Sequence, residues 1–479
     1  MKNLYVSWST SKNNFFAKKL TVFIMKTIFI KSLLSCFFLA WMAPATAQEK
    51  SSVLEGYVRY GLEHNLVLQQ KSISLEKALT ALRMANGMFS PSVTLLGNYT
   101  NGSGGRSISF PVGDLLNPVY STLNQLTSSG QFPQIENVKT NFFPRDFYDV
   151  RARTSMPLLN TDLIYNRRIK NQQVLLQEYE IRIYQRELVR DIKTAYFNYL
   201  SARESLTVYE TALDRAMEGK RVNERLLANG KGLPAYVIRA QAEIESITAQ
   251  LVEAGRMADN ARLYFNFLLN REAAAEISAD FVPDLTSINS LLAQDATAGQ
   301  REELTQVQQA VELNRQVVRM NKLFWTPRLS GFIDLGAQAE NLEYNRNARY
   351  SLTGLQLEMP LFAGMTNRQK IGQSALGVRT AELDLQVVGQ QLNLSTQVAR
   401  NALITSYRNY QTALKQLEAA LSYQRLIERG YREGMNTFLE AMDARTQLTG
   451  AELQVRLNLY KVLSAEAGLE RETASYPLN

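Results

Sequence analysis

The 479-residue chain has one cysteine, Cys36, and one histidine, His64. That scarcity excludes a disulfide framework and any Cys/His metal cluster, so no metal site is expected. His64 reads as a satisfied surface or packing residue near a helix start. Proline (12) and glycine (25) are sparse, while Gln, Leu, Ala, Arg and Glu crowd the segments between them, a composition of elongated helices rather than of several compact domains. After the N-terminal region there is no run of about 18 apolar residues, so no helical membrane span is expected. A phosphate-cradling glycine loop and a Gly-x-Ser-x-Gly elbow are both missing; an enzyme is not expected, and no cofactor. Gly102, Gly104 and Gly105 lie in a Ser-rich loop and signal flexibility only.

Charge of one sign is also missing once the leader is set aside. The formal charge of +8 owes most to Lys2, Lys12, Lys18, Lys19, Lys26 and Lys31, which stand in residues 1–47 without an acid among them. The rest of the chain carries 47 basic against 45 acidic residues, which argues against a nucleic-acid partner. Met25 to Ala47 reads as a secretory signal: Lys26 and Lys31 supply the charge, Leu33 to Met42 the apolar part, and Ala45-Thr46-Ala47 the cleavage site. Gln48 is then the expected mature start, and residues 1–24 read as an over-called start. Leu33-Leu34-Ser35-Cys36 loosely resembles a lipoprotein cleavage box, but the cysteine reads as an apolar residue of a discarded signal.

What is present is a repeat. Thr154-Ser155-Met156-Pro157-Leu158-Leu159 recurs as Gln356-Leu357-Glu358-Met359-Pro360-Leu361-Phe362, with Pro157 and Pro360 203 positions apart. Asn166-Arg167 recurs as Asn367-Arg368, 201 apart, and Gly232 as Gly434, 202 apart. Each of those glycines precedes an aromatic (Tyr236, Phe438) and then an alanine (Ala242, Ala444). The chain divides into a first copy over 52–272, a linker over 273–300, a second copy over 301–472 and a tail over 473–479.

Each copy opens with a helix, Ser52 to Met88 and Glu302 to Phe324, stopped by Pro91 and Pro327. Beyond each proline the apolar period changes from helical to alternating. Val93, Leu95, Gly97 and Tyr99 share one face, as do Leu329, Gly331, Ile333 and Leu335. Tyr148, Val150, Ala152, Thr154 and Met156 alternate with Asp149, Arg151, Arg153 and Ser155, and Leu355, Leu357 and Met359 with Gln356 and Glu358. Residues 102–146 read as a long surface loop, whereas its counterpart over 338–349 is short. Helices of about 65 residues, roughly 100 Å long, then run to turns at Asn229–Pro234 and Gly430–Asn436. Thr161 or Asp162 is the expected cap of the first, and a Thr366–Gln369 capping box of the second. Val174, Ile181, Leu188, Ala195, Ala202 and Tyr209 form a heptad stripe, and Ala399, Ser406, Ala413 and Ala420 a small-residue stripe. Helices of about 35 residues return from each turn.

Four strands with one greasy and one polar face suit an outer-membrane barrel, but bacterial barrels need about eight strands or more, so one chain must associate. The competing reading is a periplasmic coiled-coil scaffold without a pore, which gives no reason for the alternation. With the duplication, the Met-Pro-Leu strand exits and Tyr431-Arg432-Glu433-Gly434 followed by Leu439-Glu440-Ala441-Met442-Asp443-Ala444, the chain resembles the TolC-like outer-membrane factors over roughly 52–472. The resemblance implies a mainly α protein with a small β part: four strands per chain in a homotrimeric 12-stranded barrel, and long antiparallel coiled-coil helices reaching into the periplasm. It implies an exit duct of a tripartite efflux or type I secretion system, served by an inner-membrane pump through a periplasmic adaptor. The adaptor would dock at Gly232, Leu233, Gly434 and Met435. Tyr431 matches the gate tyrosine of the family, and Glu440 and Asp443 the acids lining its constriction. Asn436 departs from the arginine that several members carry. Ile238 and Gln241 stand at the expected equivalent places in the first copy, which would leave any acidic ring to the second.

Overall fold

In this computed structural model the described residues are 53–143, 145–286, 288, 291 and 301–478. The leader with Cys36, and residues 292–300 of the linker, lie outside them. From Tyr57 onward the described residues form one unit. The first helical segment is not continuous as expected: α1 spans Val53–His64 and α2 spans Leu66–Gly87. Asn65 breaks it, with ψ at 125°, because its side chain competes for the backbone. Its Oδ1 accepts from the Leu68 amide at 3.0 Å, and its Nδ2 donates to the Leu268 carbonyl at 2.9 Å. His64 therefore ends a helix instead of starting one. Its ring stacks on Tyr60 at 4.1 Å, with Nδ1 3.0 Å from the Tyr60 carbonyl.

The alternating segments form strands β1 (Ser92–Thr100), β4 (Phe147–Leu159), β5 (Arg328–Ala339) and β6 (Arg349–Glu358), one antiparallel sheet in the order β1-β4-β5-β6. Its register pairs Leu95 with Ala152, Ala152 with Leu335, and Ile333 with Thr353. The apolar residues thus gather on one face, where Leu95 and Leu355 are 75% and 70% exposed in the single chain. On the opposite face Arg153 grips Asp334 with two bonds of 2.7 and 2.6 Å, and Tyr350 donates to Asp149 at 2.8 Å. Arg151 also bonds Asp149, so neither arginine is left in open solvent. The Arg153 guanidinium lies 4.9 Å from the centroid of the Phe332 ring. Both edges, β1 and β6, are unpaired.

The connection between β1 and β4 is not the structureless loop expected. It holds β2 (Ser107–Phe110), α3 (Val112–Thr127) and β3 (Val138–Asn141), with β2 and β3 paired antiparallel. Two asparagine amides on α3 hold the returning backbone: Asn117 brackets Ile135 with bonds of 2.9 Å, and Asn124 brackets Phe132 at 2.7 and 3.1 Å. Such amide-to-backbone bonds leave no hydrophobic period to read.

The long helices are α4 (Thr161–Ala228, 68 residues), α5 (Pro234–Leu268, 35), α7 (Thr366–Arg432, 67) and α8 (Phe438–Thr473, 36), with the shorter α6 over Glu302–Lys322. The α4 cap is Asn160, whose Oδ1 accepts from the amides of Asp162 (3.0 Å) and Leu163 (3.4 Å), rather than Thr161 or Asp162. The Thr366–Gln369 box does not form. Met365 enters α7 with φ at 63°, and the Thr366 hydroxyl turns back to the Ala363 carbonyl at 2.6 Å. Val174, Leu188 and Ala195 of the heptad stripe are buried, as are Ala413 and Ala420. At their far ends the helices lie in the order α5, α4, α8, α7, whereas nearer the sheet α4 is flanked by α2 and α6. Arg301, only 1% exposed, bonds Glu303 and Glu472 at 2.6 Å each, and Arg471 reaches Glu187 and Glu303 at 3.0 Å, tying α4, α6 and α8 together. Among the described residues no helix is long and apolar enough to cross a membrane.

Candidate functional site

The two turns farthest from the sheet are built alike. After α4, Gly230 has φ at 70° and the amide of Lys231 reaches back to the Leu226 carbonyl at 2.8 Å. After α7, Gly434 has φ at 76° and the amide of Met435 reaches the Gly430 carbonyl at 2.8 Å. These are Schellman closures, and a left-handed residue there favours glycine. The equivalent of Gly434 is therefore Gly230, not Gly232. Gly232 matters for another reason: a Cβ there would stand 2.7 Å from the Leu227 nitrogen. Leu233 holds the position before α5 that Thr437 holds before α8, but only Thr437 makes a capping bond with its side chain.

This registration, four residues past two hundred, places Tyr236 opposite Glu440 and Arg239 opposite Asp443 in the two copies. Ile238 and Gln241 do not hold those positions. The true alanine pair is Ala240 and Ala444, both buried. The aromatics singled out by the repeat, Tyr236 and Phe438, touch each other with centroids 5.3 Å apart.

Tyr431 sits behind this pair. Its hydroxyl donates to Asn223 Oδ1 on α4 at 2.8 Å, and Asn223 Nδ2 donates to the Gly219 carbonyl at 2.8 Å. Burial pushes the Tyr431 phenol up, with Arg445 pulling the other way. Arg445 lies over the fully buried Phe438 ring at 5.8 Å and pairs with Glu243 of α5 at 3.1 Å. Glu243, Arg445 and Asn223 gave no signal in the sequence, since their partners are hundreds of positions away or carry no motif. They link α4, α5 and α8 into one tip with Tyr431 of α7.

Glu440 and Asp443 are exposed on the first turns of α8 and are not bonded to each other. Glu440 completes a capping box: its Oε2 accepts from the Thr437 amide at 2.7 Å and from Asn436 Nδ2 at 3.2 Å. The bond from the Thr437 amide, then that from Asn436, holds the Glu440 carboxyl below the ordinary glutamate range. Asp443 accepts from Gln447 at 2.7 Å. Leu233 and Met435, at the two outermost turns, are 55% and 75% exposed. Among the described residues no group of three or more His, Cys, Asp or Glu is arranged to hold a metal.

Comparison with known proteins agrees with this architecture. The chain is similar to the alkaline protease secretion protein AprF of Pseudomonas aeruginosa, 23% identical over 73% of each chain. To the outer membrane protein TolC of Escherichia coli it is 24% identical over 60% of this chain and 61% of that one. Its fold is that of the outer membrane protein VceC from Vibrio cholerae, with a TM-score of 0.70 at 14% identity, covering 88% of this chain and 95% of that one. The family model for outer membrane efflux proteins matches residues 61–271 and 292–474, and the chain belongs to the outer membrane efflux protein family.

Proposed function

We propose that the chain is one subunit of a passive outer-membrane exit duct, closing a barrel with two further copies and opening at its helical tips. The observation that carries this reading is the sheet. It has a greasy outer face, a face of paired charges, and two unpaired edges that cannot remain open in lipid. Three copies would supply twelve strands, within the range of known barrels. The charged face then lines the lumen, and α4, α5, α7 and α8 continue the wall into the periplasm.

The tip is the proposed gate. Glu440 and Asp443 from each copy would ring the passage, but Arg239, the counterpart of Asp443, makes the ring of mixed sign rather than purely acidic. Tyr431 acts through Asn223, holding α7 against α4. The exposed Leu233 and Met435, with Gly232 and Gly434 shaping their turns, offer a docking surface for a periplasmic adaptor linked to an inner-membrane pump. The relative AprF is named for alkaline protease secretion, which favours a polypeptide cargo over a small toxic compound.

Planar-bilayer conductance tests the duct and its gate. Wild-type protein should form cation-favouring pores blocked by divalent ions, and Glu440→Gln with Asp443→Asn should weaken both properties. Unchanged selectivity and block would remove these acids from the gate. A soluble monomer after membrane fractionation would overturn the duct and leave the coiled-coil scaffold.

A further inference from the structure

A polar cleft of about 480 Å³ lies between α2, α4 and α6, lined by Leu82, Asn86, Arg167, Arg168, Asn171, Gln172 and Gln316. Neither arginine pairs with a carboxylate among the described residues. Arg167 lies over the Phe89 ring at 5.4 Å and Arg168 over Tyr165 at 5.1 Å, so both charges are held beside the cleft without being neutralised. Gln316 is 8% exposed, and its Oε1 is buried and accepts no hydrogen bond from the described residues; the Gln172 Oε1 is in the same condition. The bond from Gln316 Nε2 to Glu312 fixes which end of the amide faces away from that carboxylate. A buried acceptor left without a hydrogen bond is destabilising, so two at one cleft point to a donor that belongs there.

The cleft's position says where that donor comes from. α4 begins directly after β4, and Arg167 and Arg168 follow its first residue by six and seven positions, roughly 10 Å along the axis. That is headgroup depth below the end of the apolar strand face, and Trp325 and Phe362 stand exposed at the same junction as interfacial aromatics do. Helix geometry gives the side. Asp162 bonds Arg328, on the charged face of the sheet, and Asn171, nine residues on, projects from the opposite side of α4. The cleft thus opens on the side of the greasy face, outside the duct.

We propose that this cleft binds the zwitterionic headgroup of a phosphatidylethanolamine from the periplasmic leaflet. The phosphate takes the Arg167 and Arg168 guanidiniums, and the primary ammonium draws the occluded Gln172 Oε1 and Gln316 Oε1 round toward the cleft and donates to both. The assignment rests on the outer-membrane reading above. Basic pockets between helices at a membrane boundary recognise lipid headgroups by this combination of charge and depth.

The full-length protein, inserted in vesicles of equimolar phosphatidylethanolamine, phosphatidylglycerol and phosphatidylcholine, is extracted and its retained lipid identified by native mass spectrometry. Phosphatidylethanolamine should be retained several-fold over phosphatidylcholine, which has the same phosphate but no N–H donor. Arg167→Gln with Arg168→Gln should lose retention of every phospholipid, while Gln172→Ala should lose only the ethanolamine preference. Glycerophosphoethanolamine should compete the lipid off better than inorganic phosphate; equal competition would overturn the headgroup assignment. Equal retention of the three lipids by wild type, or wild-type retention by the double variant, overturns the site. Insertion measured in the same vesicles separates the two readings: inserted protein without selectivity sinks the lipid site alone, and failure to insert sinks the duct.

Discussion

Glu243 and Arg445 are 202 positions apart and meet at 3.1 Å with side chains 9% and 7% exposed. Removing one partner leaves a buried charge uncompensated, a loss of about 3–5 kcal/mol. Glu243→Gln should therefore speed hydrogen exchange across the tips of α5 and α8 by on the order of 100-fold or more. Glu243→Leu combined with Arg445→Met should restore most of the protection, because it removes both charges. Glu440 makes a pH-dependent contribution instead. Its carboxyl is lowered first by the Thr437 amide bond, so the cap's full stabilisation holds above the ordinary glutamate value and is lost as pH falls through the lowered one. Protection factors at the start of α8, which are exchange rates corrected for the intrinsic pH dependence, should fall on acidification in wild type and stay flat in Glu440→Gln, which keeps the cap geometry without the ionisation. Equal acid sensitivity in both proteins would remove Glu440 from the account. The place of Tyr431, Glu440 and Asp443 at the helical tip was legible in the sequence because they sit in a short motif, and their gate role is a proposal. Asn223 and Arg445 were not, because a buried partner from another helix leaves no local pattern.

At the scale of elements, the long helices and four strands were legible from their periods, and the two turns, to within a few residues, from their glycines. Their ends were less so. The sequence offers Thr161, Asp162 and Thr366 as caps by type, but Asn160 occupies the extended position before α4 and Met365 the left-handed one before α7. Likewise Asn65 divides a segment whose apolar residues run through it unbroken, and Asn117 and Asn124 organise a connection with no period. In each case an amide side chain has replaced a backbone partner, which hydrophobicity does not report. Gly434 is the clearest test of an end. With φ at 76°, Gly434→Ala should lose about 1–2 kcal/mol, read as a lower midpoint for thermal loss of the α7–α8 tip. Gly450→Ala, within α8, should not lower it.

For the whole molecule, the sheet sets the terms of assembly. Leu355 is on the apolar face and its neighbour Gln356 on the charged one. Leu355→Arg should cost about 2–4 kcal/mol if it lies near the bilayer midplane, while Gln356→Arg, facing the lumen, should be close to neutral. The measurement is the fraction of chains inserted after refolding into vesicles, and equal loss for both variants would contradict the assigned faces. Association was legible because four strands are too few to close. Which charges neutralise which on the lumen side was not, since the Arg153–Asp334 pair joins residues from different copies of the repeat. The two free edges, β1 and β6, also have a genetic consequence. A subunit able to offer one edge but not the other would enter rings and spoil them, so in a cell making good and bad copies equally, roughly one threefold ring in eight would be intact. Such an allele should be dominant over the normal gene, whereas a simple deletion should be recessive.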